Sequence, residues 1–124
     1  MVELIANGPQ ADAIATRIEA ATTPFYTGPT VEFEAVVAIA RKKQCSVPSA
    51  HEFVLRLVRR LSAERMAITP EIGEQAVAAF SKYGKGRGHP AQLNFGDCFS
   101  YAMAKAADVP LLYVGNDFSR TDIG

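Results

Sequence analysis

The sequence predicts an α/β fold: one domain over residues 1–124, built as three layers, α/β/α, around a parallel central sheet. Two observations predict it. Short apolar runs at 25–27, 66–68 and 111–114 alternate with stretches of helical periodicity, an order that yields a parallel sheet covered by helices on both faces. Hydrophobic residues make up 48% of the chain and charged residues 21%, which suits one compact core and argues against disorder.

The first helix is expected over 10–21, where Ala11, Ile14, Ala15 and Ile18 recur at core spacing. Phe25-Tyr26-Thr27 reads as the first strand. A second helix, 31–43, carries Phe33, Val36, Val37 and Ala40 on its apolar face. A third, about 48–62, carries Phe53, Val54, Leu57, Val58 and Leu61, with Arg56, Arg59 and Arg60 around the other side. Met66-Ala67-Ile68 is the second strand. Thr69-Pro70, an N-cap followed by proline at the first helical position, opens a fourth helix that Gly84 stops. In the fifth, 94–106, residues Phe95, Cys98, Phe99, Ala102, Met103 and Ala106 form a core-facing stripe. That leaves Asp97 on the opposite face with Asn94, Tyr101 and Lys105. Leu111-Leu112-Tyr113-Val114 is the clearest strand, followed by a Gly115-Asn116 turn.

In parallel sheets chemistry gathers beyond the carboxyl ends of the strands, and three carboxylates fall near that end. Asp117 follows the 111–114 strand, Glu34 lies early in the helix after the 25–27 strand, and Asp97 lies in a helical first turn. Each has a plainer reading. Asp97 at N3 behind Asn94 suits a helix cap, Glu34 a solvated first-turn glutamate that Glu32 could replace, and Asp117 an ordinary turn residue. If the three converge, their repulsion raises a pKa unless a cation lies between them. Oxygen-only donors with no cysteine or paired histidine favour Mg2+ or Mn2+ over zinc, and a cation so held is the usual apparatus of phosphodiester hydrolysis.

Thirteen basic and thirteen acidic residues give zero formal net charge, so a nucleic-acid partner requires a local basic patch. Lys82, Lys85, Arg87 and His89 supply one on a glycine-rich loop before the Asp97 helix. It suits RNA phosphates about as well as a solvated helix end, and it lacks the spacing of a nucleotide-binding P-loop. His51 lies on a polar helix flank and reads as inert. Cys45 and Cys98 lack a CxxC spacing and read as free thiols in a reducing compartment. No apolar run approaches the ~20 residues a membrane span requires, and the expected location is cytoplasmic with no membrane contact.

"YGKGRGHPAQLNFGDCFSYAMAKA", followed by "VPLLYVGNDFSRTDI" and preceded by "EFEAVVAIARKK", closely resembles VapC-like PIN-domain ribonuclease toxins of bacterial toxin–antitoxin pairs. The match runs over essentially the whole chain. Its two C-terminal motifs are specific: the glycine-basic loop with the asparagine-led aspartate helix, and the strand ending in a DF turn. The glutamate helix is weaker. The resemblance implies a PIN-like three-layer fold and an endoribonuclease dependent on Mg2+ or Mn2+. Glu34, Asp97 and Asp117 then map to three of the usual four acids. Asn116 stands where many relatives carry another aspartate, and Asn94 joins it in the outer shell. Lys82, Lys85, Arg87 and His89 would contact RNA. The implied partners are a silencing VapB-type antitoxin, the RNA substrate and a second copy of the chain in a homodimer.

Domains of this type begin with a short apolar strand ending in an aspartate and a small hydroxyl residue. This sequence opens at Met1-Val2-Glu3-Leu4-Ile5, which resembles the later part of the helix that follows that strand. The expectation is that such a strand is encoded upstream, or that the first helix rearranges or pairs with another subunit. The chain as given would then cleave RNA little, and an extended chain would recover activity. The alternative is a catalytically inactive PIN-like protein that binds antitoxin or RNA.

Overall fold

The computed structural model describes residues 1–22, 24–111 and 118–122, the side chain of Glu3 excepted. The chain divides into two compact units, Met1–Met66 and Ala67–Gly124.

In the first unit the elements follow as α1 (Val2–Ile5), α2 (Ala11–Ala20), β1 (Tyr26–Thr27), α3 (Pro29–Lys42), α4 (Val47–Arg60) and β2 (Glu64–Arg65). Pro29 opens α3 at its first position behind Gly28, where its missing N–H costs nothing. Ser46 caps α4, its hydroxyl accepting from the Ser49 N–H at 3.2 Å. The core forms where Ala35, Val36 and Ile39 of α3 meet Ala50, Val54 and Val58 of α4, with Met1, Val2 and Ile5 packed at its edge.

Two expectations are corrected here. Phe33 and Val37, read as core, are 70% and 51% exposed, and the buried face of α3 is Glu32, Ala35, Val36 and Ile39. Apolar residues encircle much of this helix, so periodicity alone admits more than one inward face, and the one that packs on α4 carries Ala35, Val36 and Ile39, with Glu32 beside it paired to Arg65. The second strand lies at Glu64–Arg65, not at the apolar run 66–68. Its position is set by parallel pairing with β1, Tyr26 opposite Glu64 and Thr27 opposite Arg65. The Glu64 and Met66 N–H groups donate to the Phe25 and Thr27 carbonyls, each at 2.8 Å.

A parallel strand pair joined through helices is the α/β arrangement in miniature. Among the described residues the sheet has these two strands. Of the expected strand at 111–114, Leu111 is outside any strand and the rest lies outside the described residues.

The second unit holds α5 (Pro70–Tyr83), α6 (Phe95–Ala107) and a 3-10 turn, Phe118–Arg120. Thr69 caps α5 by accepting from the Ile72 N–H at 3.2 Å. The helix stops at Gly84, where a Cβ would come within 2.4 Å of the Phe80 carbonyl oxygen and ring. Helices α5 and α6 pack together, and small buried residues, Ala76 and Ala79 on one and Cys98 and Ala102 on the other, allow close approach. Phe95 and Ala106, expected in the buried stripe of α6, are exposed, Phe95 by 74%. Both sit in terminal turns, beyond the covered middle of the helix, while Gly96 and Ala104 are buried on another side. No helix among the described residues is long and apolar enough to cross a membrane.

Candidate active site

In the first unit, Glu32 and Glu34 part company within one turn of α3. Glu32 is buried and receives the Arg65 fork, Nη2 at 2.7 Å and Nε at 3.2 Å, whereas Glu34 is exposed. The Glu32 carboxylate holds the Arg65 guanidinium above its ordinary pKa, first by hydrogen bonding and then by charge. With Glu32 committed to a bidentate structural pair, Glu34 is the glutamate of this helix presented outward. Local sequence does not single out Arg65, because it abuts the apolar run 66–68 whose pattern predicts the strand. The Thr27 and Thr30 hydroxyl oxygens are buried with no hydrogen-bond partner among the described residues. Thr27 ends β1, and Thr30 lies one helical turn before Glu34.

In the second unit, Asp97 is locked at the start of α6. The Asn94 Oδ1 accepts from the Asp97 N–H at 2.9 Å, and Asp97 Oδ2 accepts from the Asn94 N–H at 3.0 Å, a reciprocal capping box. The cap is therefore real, and it leaves the carboxylate partly accessible at the positive end of the helix. Burial, and after it the Asp97 charge, pushes the adjacent Cys98 thiol up. Cys98 is a buried free thiol and Cys45 a half-buried one.

Asp97, Tyr101 and Lys105 follow one another at four-residue spacing along one face of α6. Asp122 docks on that face. Its Oδ2 accepts from Lys105 Nζ at 2.6 Å, and its Oδ1 accepts from the Tyr101 hydroxyl and, at 3.4 Å, from Tyr83. Lys105 and then Tyr101 hold the Asp122 carboxyl below its usual range. Burial, and then Asp122, raises the Tyr101 phenol. Beside this cluster is an open groove of about 300 Å³ lined by Gln75, Ala78, Ala79, Lys82, Tyr83, Tyr101 and Lys105. Helical spacing predicts Tyr101 and Lys105 on the Asp97 face, whereas Asp122 joins them only in the folded chain. The signal available was the polar four-residue spacing together with a lone acid close to the chain end.

The basic loop is more ordered than its glycines suggest. Lys85 N–H donates to the Leu93 carbonyl at 2.9 Å and Leu93 N–H to the Tyr83 carbonyl at 3.0 Å, so its ends are zipped together. Gly86 turns the chain at φ 83°, a backbone region that side chains disfavour. Lys85 and Arg87 are exposed, Arg87 5.7 Å from the Phe80 ring centroid. Lys82 lies 5.0 Å from the Tyr83 ring centroid, and Tyr83 holds its ammonium above the ordinary range. His89 is half-buried, with its ring edge-on to Tyr83 at 4.8 Å and its Nδ1 accepting from the Ala91 N–H at 3.0 Å. That bond assigns the ring proton to Nε2 and gives His89 a role in shaping the loop.

Glu34 belongs to the first unit and Asp97 to the second, and Asn116 and Asp117 lie outside the described residues. Among the described residues no group of three or more histidine, cysteine, aspartate and glutamate side chains comes together. The Glu34 and Asp97 carboxylates are hard oxygen donors of the kind that suits a divalent cation such as Mg2+ or Mn2+.

The sequence pattern of the PIN domain family matches residues 1–124. A VapC ribonuclease of Rhizobium meliloti is 37% identical over 100% of this chain and 94% of its own length. Two VapC ribonucleases of Mycobacterium bovis are similar as well. One is 39% identical over 93% of this chain and 79% of its own length, the other 36% identical over 99% and 90%.

Proposed function

The chain belongs to the PIN-domain family, and from that premise we propose that it is an endoribonuclease toxin that hydrolyses RNA phosphodiester bonds with Mg2+ or Mn2+. The observation that carries this reading is the full-length match to VapC ribonucleases. Supporting it, Asp97 is held in a defined position at the amino end of α6.

Glu34, Asp97 and Asp117 would hold the cation, with Asn94 and Asn116 outside them. When bound, it orients a water, lowers its pKa and offsets charge on the phosphoryl oxygens. The capping box fixes the Asp97 side chain before any ion arrives, so little ordering cost remains at binding. Lys82, Lys85, Arg87 and His89 would take the RNA backbone, the exposed Lys85 and Arg87 foremost. A full three-layer α/β/α fold would bring Glu34 and Asp97 to the same end of the parallel sheet. A VapB-type antitoxin would silence the enzyme, and the chain would act as a homodimer.

The test is cleavage of single-stranded RNA by the purified chain without antitoxin, in magnesium, in manganese and in chelator. Cleavage that requires the metal supports the reading. Metal-independent cleavage, or RNA binding without turnover, refutes it.

A further inference from the structure

Helices α3 and α4 of the first unit carry a charge imbalance that the proposed chemistry does not use. Between Glu34 and Glu64 stand six cations, Arg41, Lys42, Lys43, Arg56, Arg59 and Arg60, and one acid, Glu52, in a chain whose formal net charge is zero. All six cations are exposed. Glu52 Oε1 lies 3.1 Å from Arg59 Nη2 and 3.7 Å from Arg56 Nε, so one carboxylate serves two guanidiniums and the trio keeps a positive charge. Among the described residues Arg41, Lys42, Lys43 and Arg60 enter no ion pair.

Cations in the last turn of a helix complement its dipole, which accounts for Arg41 and Lys42 on α3 and for Arg59 and Arg60 on α4. It does not account for what stands between them. Phe53, half-buried in the middle of α4, has Lys43 Nζ 5.0 Å and Arg56 Cζ 5.9 Å from its ring centroid. Two like charges share one ring, a repulsion that a bound anion would relieve. Arg60 follows Arg56 by one helical turn, about 6 Å along the axis, a step comparable with that between successive phosphates of an extended strand. Lys43, Arg56 and Arg60 thus form a row. An acidic protein offers carboxylates at irregular intervals, whereas a nucleic acid offers one charge at every step, and arginine forks suit phosphate. We infer that this row is a second RNA-binding surface, which takes the phosphate backbone of single-stranded RNA. The inference rests on the ribonuclease reading above and adds to it a surface in the unit that does not carry the glycine-rich basic loop.

The experiment measures binding of a fluorescein-labelled oligouridylate by anisotropy over a salt series, in chelator so that the strand stays intact. The wild-type chain is compared with the triple variant Lys43→Gln, Arg56→Gln, Arg60→Gln and with the charge-keeping variant Lys43→Arg, Arg56→Lys, Arg60→Lys, with melting temperatures alongside. The neutral variant is expected to melt close to wild type and to lower the slope of log affinity against log salt by about 2, at ~0.7 for each of three phosphate contacts. The charge-keeping variant is expected to retain the wild-type slope, which a merely structural role would not predict. An unchanged slope in the neutral variant, while the wild-type chain still cleaves RNA in Mg2+ or Mn2+, overturns the surface and leaves the ribonuclease reading standing. A wild-type chain that neither binds nor cleaves RNA overturns both. An unchanged RNA slope with lost affinity for polyglutamate assigns the row to an acidic protein and overturns the inference as well. If the neutral variant unfolds, Arg60→Gln alone replaces it: a slope lowered by about 0.7 supports the inference, and an unchanged slope overturns it.

Discussion

At Asp97 one carboxylate oxygen already accepts the Asn94 N–H at 3.0 Å, so the cap and the proposed ion would share a single side chain. An asparagine keeps an oxygen for the cap but loses the charge. Asp97→Asn should therefore lower metal-dependent RNA cleavage by more than about 100-fold. Its effect on stability should be small, within about 0.5 kcal/mol, because the capping acceptor survives. Nuclease rate and melting temperature, measured on the same preparation, separate the two roles. Full activity with a lowered melting temperature would leave only the cap. Asp122 yields a pH signature at the same scale. Its carboxyl is held below the ordinary value, so it stabilises the fold above the unfolded pKa of about 4, and that contribution is lost as pH falls through the folded value. The melting-temperature gap between wild type and Asp122→Asn should be present at neutral pH and vanish in acid. A gap that persists unchanged at low pH would mean the carboxylate charge contributes nothing.

At the scale of elements, the helices were legible because their caps and periodicities are local. Ser46, Thr69 and Asn94 each accept from a backbone N–H of the first turn, and Gly84 marks a true stop, imposed by the Phe80 backbone and ring. The Asp97 box was legible for the same reason, since donor and acceptor lie three residues apart. What the sequence could not show depends on partners distant in the chain. Arg65 meets Glu32 across 33 residues, and α3 packs on α4 through Ala35, Val36 and Ile39 so that Phe33 and Val37 face out. The register of β2 likewise depends on Phe25 and Thr27 and ignores the apolar run beside it. Asp122 belongs to this class, 21 residues from Tyr101.

Over the whole molecule the formal net charge is zero, so RNA must be held by local charge and the chain has no long-range field to draw it in. Lys85 and Arg87 are the exposed cations of a loop with fixed ends. Replacing either with glutamine should weaken RNA binding most at low salt. Each should lower the slope of log affinity against log salt by about 0.7, the value for one phosphate contact on a single strand. Binding measured over a salt series checks this. An unchanged slope would show that the loop only ends the helix.

The zipped loop between α5 and α6 also bears on the order of events in time. Leu93 reaches back to Tyr83 over a short stretch of chain, so the helical hairpin closes with little loss of chain entropy. The β1–β2 pair must first enclose all of α3 and α4. Short loops close in roughly 10–100 ns, whereas non-local pairings wait for the chain between them to organise. In refolding followed by pulsed hydrogen exchange, the amides of α5 and α6 should become protected before those of Glu64 and Met66. Earlier protection at Glu64 and Met66 would mean that assembly starts from the strand pair and that the hairpin is a late arrival.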